Sequence, residues 1–135
     1  MVGLTATTQS QAVVIGGIIT IAIADALSDA FGVHISEESN PDNSDEQVWS
    51  STISTFVFKL FFASTFIVPV LVFELKEAVL VSIIWGLFLL SAISVKIAKE
   101  QDEPIWKIVG EHIMIALVVI FLANFVGEFV VSVFV

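Results

Sequence analysis

Of the 135 residues, 57% are hydrophobic and 14% charged, with a mean hydropathy of +1.01. A soluble domain carries about 25% charged residues, so this composition excludes an ordinary water-coated globule and points to an integral membrane protein. The net charge of −9, with lysine as every cation, argues against a nucleic-acid partner, and the lack of cysteine excludes disulfides and thiolate metal sites.

No basic segment precedes the first apolar run, so no cleavable signal peptide is expected. The first predicted span covers about residues 11–35. An acidic connector, "SEESNPDNSDEQ", follows, and its Asn-Pro and Asp/Ser/Asn content is turn chemistry. A second span covers about 50–73 and contains Pro69, which a membrane helix accommodates as a kink. The stretch "ELKE" (74–77) is expected to turn tightly into a third span at about 78–97. A second polar connector, "KEQDEP", leads to a fourth span at about 106–133. Each span is long enough to cross a hydrocarbon core of ~30 Å at ~1.5 Å per residue. The fold class is therefore all-α: a single transmembrane domain over 1–135, a helical bundle with about four transmembrane helices.

Lys96, Lys99 and Lys107 flank the last connector, whereas the "ELKE" turn holds only Lys76. The positive-inside tendency then places both polar connectors, the acidic 36–48 segment included, in the cytoplasm, and the N-terminus outside. Trp49 and Trp106 stand at predicted membrane interfaces; Trp85 does not.

Polar residues inside the spans carry the functional reading. At about 100° per residue, Gly17, Ile21, Asp25, Ser28, Asp29 and Gly32 share about a third of the first helix's circumference. Small residues there predict close helix approach, and ionisable ones avoid lipid. An aspartate at mid-membrane costs at least ~2.5–3.5 kcal/mol, so two on one face need a counter-charge, a proton or a cation. One reading pairs Asp29 or Asp25 with Lys59 of the second span and makes the charges a packing device. The other makes them a path for protons and a divalent cation, whose oxygen ligands would be carboxylates.

His34 projects about 150° from the aspartate face and reads as an interfacial residue, sharing their site only if the helix breaks at Gly32. Glu37, Glu38, Asp42, Asp45 and Glu46 form an acidic mouth that would concentrate cations. Glu111 and His112 could face that mouth from the start of the fourth span. There Gly110, Met114, Leu117, Phe121, Asn124 and Glu128 form one stripe, with Glu128 near the far interface. No phosphate loop, nucleophile elbow or HExxH pair is present, so no enzyme activity and no bound cofactor are expected.

"VVIGGIITIAIADALSDAFGVHIS" resembles the second transmembrane helix of the vacuolar iron transporter family, which includes yeast vacuolar and plant nodulin-like members. Ala26, Leu27, Ser28, Gly32 and Ser36 match that helix, and the later spans follow in order around Pro69, Gly110 and Gly127. The resemblance implies a homodimeric, proton-coupled exporter of Fe²⁺ or Mn²⁺ from the cytosol, with the ion path between subunits. With the charges read inside the spans, Asp25, Asp29, Ser28 and Lys59 are the expected transport and proton-coupling residues. Asp25, Asp29, Glu37, Glu38 and Glu111 are the expected metal ligands. The chain departs from the family at Asp29, where relatives carry Met, and at Val33-His34, which replaces a Glu-Tyr pair. The cytoplasmic metal-binding helices of some members are absent, their place taken by the short 36–48 connector, as in nodulin-like relatives. Its first transmembrane helix has no counterpart beyond "MVGLTATTQS", which looks like that helix's last residues. The alternative is a non-transporting membrane scaffold whose intramembrane Asp–Lys pairs fix helix packing.

Overall fold

The structure, a computed structural model, describes residues 1–134. It is all-α, with no strand among the described residues. Six helices follow in order: α1 (Val2–Thr7), α2 (Gln11–Glu38), α3 (Asp45–Ser64), α4 (Ile67–Val72), α5 (Leu75–Glu100) and α6 (Ile105–Phe134). Four segments are long and apolar enough to cross a membrane: α2, α3 with α4, α5 and α6. Large apolar side chains cover their outer surfaces, among them Phe31, Phe58, Phe61, Phe88, Phe121 and Phe125. That much exposed apolar surface belongs to a membrane-embedded protein.

The spans run longer than hydropathy predicted because their ends are capped by polar residues. Ser44 accepts from the backbone N–H of Gln47 while the Gln47 side chain takes the Ser44 N–H, a capping box that starts α3 at Asp45. Asn43 donates to the carbonyl and carboxylate of Glu37, at 3.1 and 2.7 Å, so the acidic connector shrinks to residues 39–44. The expected "ELKE" turn is likewise mostly helix. Glu74 is the N-cap of α5, and Leu75, Lys76 and Glu77 form its first turn.

At the other end of α5 the chain closes a Schellman motif. Glu103 N–H donates to the Ala98 carbonyl at 3.0 Å, and Asp102 adopts φ 55° between them. Pro104 then precedes α6, and its carbonyl accepts from Lys107 N–H.

Pro69 does more than kink its span. Helix α3 ends at Ser64 and α4 begins at Ile67, the break falling where the proline ring would meet the carbonyl of Thr65. That carbonyl accepts from Val68 N–H instead, and the Ser64 and Thr65 hydroxyls donate to the carbonyls of Leu60 and Phe62. Side chains and shortened hydrogen bonds thus satisfy the broken backbone, as an apolar environment requires.

The chain divides into two compact units, one of Ala12–Val68 and one of Met1–Gln11 with the chain from Pro69 onward. In the second, α1 and α5 pack on α6, and Gln11 donates to the carbonyls of Val70 and Phe73. The α1–α6 contact is close enough to exclude side chains. A Cβ on Gly127 would lie 2.7 Å from both the Gly3 carbonyl and the Ala6 Cβ, and one on Gly3 would lie 2.9 Å from the Ala123 carbonyl. In the first unit, α2 buries Val14, Ile18, Ala22, Ala26 and Ala30, one residue in four along a single ridge.

That ridge corrects the predicted packing face. Its alanines stand one residue, about 100° of rotation, from Ile21, Asp25 and Asp29. Gly32 and Ser28 are exposed, and a Cβ on Gly32 would meet nothing within 4 Å. On α6, Gly127 is buried, whereas Gly110, Met114, Leu117, Phe121 and Glu128 of the stripe are exposed.

Candidate functional site: a charge triad at mid-span

Asp25 lies at the middle of α2, about 20 Å from either end at ~1.5 Å per residue, and Asp29 is one helical turn further on, about 14 Å from the C-terminal end. Lys59 lies at a similar depth in the opposing span and donates to both. Its Nζ is 2.8 Å from Asp25 Oδ2 and also bonds Asp29 Oδ2. The three side chains carry a net charge of −1. The side chains of Asp25 and Asp29 are 59% and 49% exposed, and that of Lys59 is 37% exposed. Charge halfway along an apolar helix is costly against hydrocarbon.

Nearer the connector, His34 bridges the same two helices. The Thr52 hydroxyl donates to the Val48 carbonyl at 2.7 Å, so it accepts from His34 Nδ1 at 3.0 Å. The ring also lies against Trp49, with centroids 4.7 Å apart. A neutral His34 therefore carries its proton on Nδ1 and keeps the Nε2 lone pair. Helix α2 continues unbroken through Gly32, so His34 and the aspartates meet α3 at different levels.

His112 is held by the same device in the other unit. The Ser94 hydroxyl donates to the Leu90 carbonyl at 2.6 Å and accepts from His112 Nδ1 at 2.7 Å. With Leu90, Ile93, Ile97, Ile115 and Ala116 the ring lines a shallow groove of about 200 Å³.

The remaining expected ligands stand as follows. Glu37 is engaged by Asn43, Glu38 is exposed at the end of α2, and Glu111 is exposed on α6 in the other compact unit. Among the described residues no three His, Asp or Glu side chains form a group able to hold a metal ion. Ser28 lies between the two aspartates in sequence and is exposed beside them. At the far end of α6, Asn124 donates to Glu128 at 2.8 Å.

Sequence reasoning missed Thr52 and Ser94. Their only signal is the small hydroxyl itself, a residue that bonds the carbonyl four positions earlier and leaves its oxygen free to accept.

No protein-family model, curated protein or solved structure matches the chain.

Proposed function

We propose that the protein moves a divalent cation, Fe²⁺ or Mn²⁺, out of the cytosol in exchange for protons, with Asp25 and Asp29 as the intramembrane carboxylates that carry the exchange. One observation supports this above the others: two carboxylates converge on a single cation at the middle of an apolar span. Carboxylates at that depth carry a large desolvation cost and mark ion or proton pathways far more often than inert structure. The broken α3–α4 segment adds support, since interrupted helices accompany ion sites in transporters. The resemblance of α2 to the second helix of vacuolar iron transporters supplies the expected metals. A second copy of the chain covers the open side of the triad in this reading, because lipid cannot solvate it.

Proteoliposomes loaded with an Fe²⁺- or Mn²⁺-sensitive dye should show metal uptake driven by a proton gradient and reduced in Asp25→Asn and Asp29→Asn. Unchanged flux in both single variants and in the double would refute the proposal.

A second reading has its own observation, the complete pairing of Lys59 with both aspartates. If the triad only fixes helix packing, Asp25→Asn/Asp29→Asn/Lys59→Met should assemble like the wild type, and the wild-type protein should move no metal.

A further inference from the structure

We infer that Lys59 is a tethered stand-in for the transported cation, its ammonium holding the position in which Asp25 and Asp29 would bind the ion. The inference rests on the proposed cation-binding role of the two aspartates and adds what competes with the ion and why a divalent one wins. Each carboxylate meets Nζ through its Oδ2, so the ammonium sits at the point on which both converge. A metal ion held by the same two oxygens needs the same point, since cation–carboxylate oxygen distances of ~2–2.6 Å leave no room for an ammonium beside it. Charge enforces the exclusion. Two carboxylates and one lysine sum to −1; adding a divalent ion with the ammonium still in place would turn the site positive in a region of low dielectric.

The lysine is suited to leaving. Its charge is a compact ammonium on a flexible four-carbon stem, and it makes point contacts rather than a rigid fork. It also keeps two bare carboxylates from facing each other across one helical turn whenever no ion is bound. Selectivity follows from the competition. A monovalent ion offers the carboxylates no more charge than the ammonium already does and must in addition displace a tethered rival. A divalent ion offers twice as much.

The test is Mn²⁺ binding by the purified full chain in detergent micelles, read from the electron paramagnetic resonance signal of free Mn²⁺. Lys59→Met should bind Mn²⁺ at least about tenfold more tightly than the wild type. Lys59→Arg, whose guanidinium clamps both carboxylates, should bind at least about tenfold more weakly. Methylammonium at millimolar concentration should return the affinity of Lys59→Met toward the wild-type value and leave the wild type unmoved. A lysine that merely holds the helices together predicts the opposite, weaker binding once it is lost. Affinity in Lys59→Met equal to or below wild type overturns the inference, as does an absence of Mn²⁺ binding in every form. If Lys59→Met does not fold, Lys59→Arg decides: weaker binding supports the inference and unchanged affinity overturns it. Flux is not the readout, so the expected order of affinities without any transport would remove the transport reading alone. Asp25→Asn losing flux while affinity ignores Lys59 would remove this inference alone.

Discussion

Lys59 holds two carboxylates, so the consequence of a substitution depends on which charge is left behind. Asp25→Asn or Asp29→Asn leaves a one-to-one ion pair and should cost under about 1 kcal/mol. Lys59→Met leaves two unpaired carboxylates one turn apart and should cost about 3 kcal/mol or more, the usual consequence of stripping one partner from a desolvated pair. Neutralising all three should recover most of that loss, because an apolar span gains when a complete ionic group is replaced rather than halved. Unfolding of the four forms in mixed micelles by a denaturing detergent checks the order, and an unaltered midpoint in Lys59→Met would contradict it. Two aspartates and one lysine at matching depth were legible in the sequence because charges in an apolar run have few partners to choose from. That the lysine takes both was not, since a spacing of four residues fixes the face of α2 but not the reach of a side chain from α3.

Helix ends and close crossings depend on local chemistry that hydropathy does not register. Asp102 at φ 55° occupies a position where glycine is the ordinary choice. Asp102→Gly should therefore stabilise the α5–α6 turn by about 0.5–1 kcal/mol, visible as a higher melting temperature in micelles; a lower one would argue against the motif. Glycines on α6 give a sharper contrast. Gly127→Ala pushes a methyl group into the Gly3 carbonyl and the Ala6 side chain and should cost about 1–3 kcal/mol, whereas Gly110→Ala meets nothing within 4 Å and should be neutral or better. Hydrogen exchange across Val2–Thr7 should rise in the first variant only. The spans themselves were readable from apolar length, but the packed face of each was not. Protein-facing and lipid-facing sides are both apolar in a membrane helix, so periodicity cannot separate them. The small-residue clue placed the ridge of α2 one position away from Ala22, Ala26 and Ala30.

For the whole molecule, the position of the triad argues for association. Asp25 and Asp29 are more exposed than Lys59, although they carry the excess charge and lie at mid-span. No single chain of this composition can leave them against lipid without a cost of several kcal/mol, and a proposed second copy meeting this face removes the cost for both chains at once. A twofold contact brings equivalent residues near its axis together, and Ser28 lies on the turn between the two aspartates. Because the chain has no cysteine, Ser28→Cys is a clean probe. Mild oxidation in lipid bilayers should convert it to a disulfide-linked dimer, while Ile84→Cys, exposed on α5 in the other compact unit, should remain monomeric under the same treatment. Equal cross-linking at both positions would indicate random collision and leave the triad facing some partner other than a second copy. Cross-linking at Ser28 alone, suppressed when Asp25, Asp29 and Lys59 are neutralised together, would tie assembly of the pair to the same charges that are proposed to carry the ion.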